Sequence, residues 1–181
     1  MGKIKILQFM CPDKIMNSRL YGLPNSEHKL FLTREVLKIF SDYLQKDIDS
    51  EAGGLLFAEF DFPVIRIIEA SSPESSDRRW RTLFIPNRIL QRKLIKQRFK
   101  KGFHFVGEWH THPEAEPNPS ALDLESTAES FLKSDHELNY FIMVIVGNKS
   151  EKLNLWVSAH DGSNHYRLKE VSCRSKYSKN D

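Results

Sequence analysis

Two histidines and an aspartate between residues 110 and 123 have the types and the spacing of a metal site. Residues 103–106 (Phe-His-Phe-Val) are mostly aromatic or β-branched, which predicts a strand that leads into His110 and His112. Alternate residues of a strand point to the same face. The two imidazoles are therefore expected roughly 7 Å apart along the backbone, close enough for both to bind one ion.

The segment that follows is expected to bring a carboxylate back towards the two rings. Three prolines exclude regular structure and predict a loop: Pro113, Pro117 and Pro119. Ser120 is a typical helix N-cap, which places Asp123 in the first helical turn, where the helix dipole favours a negative charge. Two neutral imidazoles and one carboxylate are the usual protein ligands of a catalytic zinc ion, with a fourth position left for water. The residues therefore predict one Zn²⁺ held by His110, His112 and Asp123.

Together with Ser120, these residues follow the pattern His-x-His-x7-Ser-x2-Asp. A second segment, Glu-Ala-Gly-Gly at residues 51–54, places a glutamate before a small-residue turn into the apolar residues 55–57. In these two segments the sequence resembles the JAB/MPN (JAMM) family of zinc isopeptidases. The resemblance implies an α+β fold, a cytidine-deaminase-like α-β-α sandwich with a curved mixed sheet flanked by helices. It also implies that Glu51 is the general base and that Ser120 donates a stabilising hydrogen bond during catalysis.

The resemblance extends to a class of substrate and to a set of partners. Members with the full ligand set cut ubiquitin or ubiquitin-like proteins from targets after a C-terminal glycine. The run Gly-Glu-Trp-His-Thr-His-Pro, residues 107–113, is close to the prokaryotic form. Several prokaryotic members belong to antiphage (CBASS) operons, beside conjugating enzymes, and remove the modification from a nucleotidyltransferase. The implied substrate is a ubiquitin-like protein or its conjugate, with those enzymes and a nucleotidyltransferase as partners.

Three alternatives stay open at this point. Glu108 shares strand parity with the two histidines, so spacing alone allows it, as well as Glu51, to face the metal. A JAB/MPN scaffold without peptidase activity, or a DNA-repair-associated JAB protein, would also have this fold. A zinc deaminase is disfavoured because its Pro-Cys-x-x-Cys segment is absent from the sequence.

Length and composition indicate an ordinary water-soluble domain. The 181 residues are 40% hydrophobic and 28% charged, which predicts one domain over residues 1–172 and a flexible tail over 173–181. Cys11 and Cys173 are the only cysteines, so a reducing cytosol is expected. No apolar run approaches the roughly 20 residues of a membrane span, and no secretion signal is recognisable. The net charge of +3 is too small to indicate nucleic-acid binding.

Hydrophobic periodicity predicts the elements around the site. Helices are expected over residues 34–46, 86–101 (with Pro86 at the first helical position) and 121–134. Strands are expected over 4–10, 55–60, 64–70, 79–85, 140–146, 153–157 and 165–171, with a loop over 11–28. The second helix carries seven Lys or Arg residues, which favours a solvated face and leaves an acidic partner or nucleic acid as the alternatives.

Overall fold

The computed structural model describes residues 18–46, 48–149 and 153–171. The strand predicted over 4–10, part of the loop over 11–28 and the tail over 173–181 lie outside these residues. The described elements are, in chain order, β1 (Arg19–Gly22), β2 (Lys29–Leu32), α1 (Arg34–Asp42), β3 (Gly53–Asp61), β4 (Val64–Ala70), β5 (Arg78–Trp80), β6 (Leu83–Ile85), α2 (Arg88–Phe99), β7 (His104–Thr111), α3 (Ala121–Lys133), β8 (Phe141–Val146), β9 (Leu155–His160) and β10 (His165–Arg167). In the part of the chain described, no helix is long and apolar enough to span a bilayer.

Eight strands form one mixed sheet in the order β1-β2-β4-β3-β7-β8-β9-β10, and β5 and β6 form a separate hairpin. The pairs β2–β4 and β7–β8 are parallel, whereas the other neighbours are antiparallel. The two outer edges of the sheet also meet. The amide of Gly22 donates to the carbonyl of Lys169 (3.2 Å), and the amide of Val171 donates to that of Leu20 (2.8 Å). The sheet is therefore curled until its edges touch.

Helices cover both faces of the sheet, as the α-β-α prediction requires. On one face, Phe40 of α1 packs against Trp109 of β7, with ring centroids 5.1 Å apart. Both side chains are fully buried in the main hydrophobic core. On the other face, Arg88 of α2 pairs with Glu108 of β7, and Thr127 of α3 contacts Met143 of β8. The predicted α+β fold class is confirmed.

Several predicted elements are confirmed with small changes of boundary. The hairpin of β3 and β4, the helix α3 and the buried strand β8 lie where the periodicity places them. Thr33 caps helix α1, since its hydroxyl accepts from the amide of Val36, but the helix ends at Asp42 instead of residue 46. Gln45 then turns inward and donates to the carbonyls of Asp49 and Arg81, a position that a continuing helix would not give it.

The loop predicted over 11–28 is confirmed for residues 23–28 but is wrong for residues 19–22. Residues Arg19–Gly22 form β1, which is too short to show an alternating pattern. The strand forms because β2 and residues 169–171 supply hydrogen-bond partners on both sides. The strands predicted over 153–157 and 165–171 are β9, which runs on to His160, and β10, which ends at Arg167.

The segment 79–85 was predicted as one strand and is instead the β5–β6 hairpin, because the chain turns at residues 81–82 and pairs with itself. Helix α2 begins at Arg88 and not at Pro86. The side chain of Asn87 accepts from two helical amides and so caps the helix, which leaves Pro86 one residue before the cap. Helix α2 ends at Phe99, two residues before the predicted end at 101, and Gly102, with a φ of +81°, lies in the turn that follows.

Candidate metal centre

The structure brings His110, His112 and Asp123 together. One potential ligand atom from each lies within 4.8 Å of the other two, the only such His, Cys, Asp or Glu group found among the described residues. The Nε2 atoms of the two histidines are 3.2 Å apart. Asp123 places Oδ1 at 3.3 Å from Nε2 of His110 and Oδ2 at 3.5 Å from Nε2 of His112. Three donor atoms thus point at one another from different parts of the chain.

The end of β7 fixes the two histidines. His110 pairs with Gly53 of β3 on one side and with Ile145 of β8 on the other. His112 lies just beyond the strand, where its amide donates to the carbonyl of Val146 (2.9 Å). Between them, the buried hydroxyl of Thr111 accepts from the amide of residue 52 (2.9 Å). The spacing of the two rings is therefore set by main-chain bonds to both neighbouring strands.

The first turn of α3 fixes the carboxylate. Ser120 caps the helix, and its hydroxyl accepts from the amide of Asp123 (3.2 Å). The same hydroxyl and the amide of Ser120 both donate to Oδ2 of Asp123, each at 2.7 Å. This reciprocal capping box holds the carboxylate towards the histidines, as the sequence pattern predicts.

The surroundings of Asp123 stabilise its negative charge. Burial alone would raise the pKa of Asp123, but hydrogen bonds from His110, His112 and Ser120 outweigh it and hold that pKa well below its usual range. Burial disfavours the charged form of His112, yet the hydrogen bond and charge of Asp123, helped by Glu51 and Glu114, raise its pKa. Two imidazole nitrogens and an ionised carboxylate that converge in this way fit the donor set of Zn²⁺.

Glu51 lies beside this group and is 95% buried, with only 5% of its surface exposed. Burial raises its pKa to about 7; the charge of His112 lowers the pKa, and the charges of Asp123 and Glu114 add to the rise. The β5–β6 hairpin holds its backbone, because the amide of Glu51 donates to the carbonyl of Trp80 (2.7 Å) and Nε of Arg79 donates to the carbonyl of Glu51 (2.6 Å). Neither Arg79 nor Trp80 lies in a recognisable motif, so this support could not be predicted from the sequence.

The small residues after Glu51 allow close packing beneath the site. A Cβ atom on Gly53 would lie 2.7 Å from the carbonyl oxygen of Trp109 and 2.8 Å from the ring of Phe84. One on Gly54 would lie 2.2 Å from the carbonyl oxygen of Ser71. Only glycine fits at these two positions without movement of the backbone, which explains the Gly-Gly turn.

Two other carboxylates near the site have different partners. Glu108 accepts a hydrogen bond from Arg88 (2.9 Å), and its side chain is 27% exposed. Glu114, in the proline loop, places Oε2 at 3.5 Å from Nδ1 of His112, on the side of the ring away from Asp123. The segment after β8 holds the proline loop in place, because the amide of Asn148 donates to the carbonyl of Glu114 (2.9 Å). No sequence motif marks Glu114, so its contact with His112 could not be predicted from the sequence.

Comparison with known proteins places most of the chain in a recognised group. Residues 33–159 match the model of a family described as prokaryotic homologs of the JAB domain. A protein of Enterobacter hormaechei named CD-NTase/cGAS isopeptidase is 33% identical over 127 residues, covering 67% of this chain and 70% of that protein. A protein of Pseudomonas aeruginosa with the same name is 33% identical over 138 residues, covering 74% and 87%.

A solved structure also has a similar fold. The solution structure of protein DSY2949 from Desulfitobacterium hafniense is similar to this chain with a TM-score of 0.56 and 20% identity, covering 75% of this chain and 87% of that one. The matched family segment contains Glu51, both histidines, Ser120 and Asp123.

Proposed function

Because the chain belongs to the family of prokaryotic homologs of the JAB domain, we propose that it is a zinc-dependent isopeptidase. The observation that carries the proposal is the convergence of His110, His112 and Asp123 within 4.8 Å, next to the buried carboxyl of Glu51. A hydrolase of this type needs a water nucleophile, a polarised carbonyl and a proton for the leaving amine.

His110, His112 and Asp123 would hold the zinc ion. The chemistry that zinc supplies when bound is activation of a water molecule and polarisation of the substrate carbonyl. Glu51 accepts the proton of the attacking water and delivers it to the leaving amine, a task for which a pKa of about 7 is well matched near neutral pH. The hydroxyl of Ser120 has one proton, which it donates to Asp123 in this structure; with substrate bound, it would turn to donate that proton to the oxygen of the reacting carbonyl.

Glu108 is not assigned the role of base. Its carboxylate is paired with Arg88 and is partly exposed to solvent, whereas Glu51 is buried and interacts with the charges of His112 and Asp123. A carboxyl whose pKa is raised to about 7 by burial is suited to proton transfer near neutral pH, whereas a carboxylate in an ion pair is not.

The substrate follows from the relatives and from the family resemblance. Since the similar proteins are named CD-NTase/cGAS isopeptidases, we infer that this chain cuts the amide bond after the C-terminal glycine of a ubiquitin-like protein conjugated to a CD-NTase. It acts as a single domain in the cytosol, in antiphage defence.

The test uses a defined conjugate: a ubiquitin-like protein joined through its C-terminal glycine to a lysine of a CD-NTase. Zinc-loaded protein should release the two components, and a chelator should stop the release. His112→Asn should abolish cleavage, and the matched control His28→Asn, which changes a histidine outside the site, should not. Cleavage that persists in the chelator, or with His112→Asn, would refute a zinc mechanism. Binding without cleavage would identify the protein as a scaffold.

A further inference from the structure

Helix α2 carries a concentration of positive charge that the catalytic site does not use. Seven cations and no acidic residue lie between residues 86 and 103: Arg88, Arg92, Lys93, Lys96, Arg98, Lys100 and Lys101. Because the formal net charge of the whole chain is only +3, the rest of the chain is net negative. A single-sign surface of this kind attracts partners of opposite charge over a distance.

Most of these cations are free to meet a partner. Arg88 pairs with Glu108 (2.9 Å), and Nε of Arg98 lies 2.8 and 2.9 Å from the two carboxylate oxygens of Glu69. The other five have no acidic partner within the described ranges. No residue of α2 is buried, so the helix rests on the sheet chiefly through these two ion pairs and through half-buried apolar side chains.

The outward face of α2 forms one continuous surface, here called the basic stripe. Its six members recur at helical spacing and are all exposed: Ile89, Arg92, Lys93, Lys96, Gln97 and Lys100. Ile89 is 79% exposed, and Phe99, beside the stripe, is 65% exposed. Large apolar side chains among cations favour a protein partner, whose surface offers both carboxylates and apolar groups. The phosphates of a nucleic acid would pair with the cations but would leave the apolar side chains in water.

The end of α2 at which the stripe begins lies over β7, the strand that leads into the metal centre. Arg88, the first residue of α2, is bonded to Glu108, and Glu108 lies two residues before His110 on β7. A protein that covers the stripe and the first turn of α2 therefore reaches the part of β7 that leads into the metal centre. Resting on the function proposed above, we infer that the basic stripe docks an acidic surface of the folded substrate and so directs its scissile bond to the site.

The inference is tested by binding. The probes are the fluorescein-labelled conjugate described above and a short labelled peptide that contains only its isopeptide bond. Both are measured by fluorescence anisotropy against a Glu51→Gln background, which removes turnover. One variant replaces Lys93, Lys96 and Lys100 by Glu. The control replaces three exposed cations elsewhere, Arg34, Lys46 and Lys169, by Glu, with the same change of net charge.

The stripe variant should bind the conjugate at least about tenfold more weakly than the control variant at about 50 mM salt, because several attractive charges have become repulsive. The difference should shrink at about 200 mM salt, where exposed charges are screened. The two variants should bind the peptide alike. A Lys→Gln version of the stripe variant should lose less affinity, and circular dichroism checks that each variant is folded.

Equal affinity of the stripe and control variants for the conjugate would overturn the inference. So would tighter binding of the wild-type protein to a short DNA duplex than to the conjugate, which would assign the stripe to nucleic acid. Failure of the proposed function has a different signature: the zinc-loaded wild-type protein binds the conjugate, through the stripe or not, and leaves it uncut.

Discussion

Changing Glu51 to Gln should stabilise the zinc-free protein at alkaline pH and at the same time abolish turnover of the zinc-loaded protein. Burial raises the pKa of Glu51 to about 7 from its ordinary value of 4.5. The folded protein therefore keeps this carboxyl protonated at a pH where the unfolded chain has released the proton. Its contribution to stability is complete below about pH 4.5 and is lost as the pH rises through about 7.

The size of the loss follows from the two pKa values. One pH unit corresponds to about 1.36 kcal/mol, so burying the ionised carboxylate costs the wild-type protein about 3 kcal/mol at most above pH 7. Glutamine has no charge to bury and avoids this cost. In a protein of this size, 1 kcal/mol shifts Tm by about 2–4 °C, so the expected gain in Tm at pH 8 is up to about 10 °C.

Urea unfolding in a chelator, at about pH 8 and about pH 4.5, measures the effect. Glu51→Gln should be more stable than wild type at the higher pH, and the difference should nearly vanish at the lower one. The matched control is Glu108→Gln. It removes a partly exposed ion pair with Arg88, costs about 1 kcal/mol or less, and should leave turnover intact.

Two results would refute this reasoning. If Glu51→Gln is no more stable than wild type at pH 8 without zinc, burial does not raise the pKa of Glu51. If the variant binds zinc and keeps near wild-type turnover, Glu51 is not the base, and the result with Glu108→Gln shows whether Glu108 takes that role.

Three further predictions concern the metal centre. Ser120→Ala removes a helix cap and should cost about 1 kcal/mol of stability, and it should also lower turnover about 10²–10³-fold because Ser120 donates to the reacting oxygen. The control Thr33→Ala removes the cap of α1 and should lower stability without lowering turnover. Equal turnover of the two variants would show that Ser120 serves only as a helix cap. Glu114→Gln should weaken zinc affinity about 10–100-fold in a chelator competition, because the carboxylate of Glu114 contacts Nδ1 of His112. Glu116→Gln, in the same loop, should leave the affinity unchanged. Unchanged affinity in both variants would show that the contact of Glu114 with His112 is dispensable. Zinc at about 100 times its Kd should stabilise wild type by about 2.7 kcal/mol in thermal unfolding and should leave the Tm of Asp123→Asn unchanged; a wild-type Tm that ignores zinc would contradict the site.

The geometry of the metal centre follows local rules, which is why the sequence alone predicted it. Strand alternation places His110 and His112 on one side, and the capping preference of Ser120 places Asp123 in the first turn of α3. The prolines between them exclude other structure. Each rule acts over a few residues, so no knowledge of the rest of the fold is needed.

Features that depend on distant contacts could not be predicted in this way. Helix α1 ends early because Gln45 reaches the carbonyl of Arg81, 36 residues away. The choice between Glu51 and Glu108 depends on Arg88, which lies on a separate helix. The support of the Glu51 backbone by Arg79 likewise spans 28 residues. Propensity and periodicity depend on residues that are close together in the chain, whereas these contacts join residues that are far apart in it.

The joined edges of the sheet have a consequence for synthesis. As the polypeptide leaves the ribosome, β1 emerges early, but its partner at residues 169–171 follows almost 150 residues later. Until then, β1 presents unpaired amide and carbonyl groups on one side, to which another nascent chain could add a strand. The seam between the two edges therefore cannot close before residues 169–171 have been synthesised. Its completion should protect the protein against strand exchange between copies.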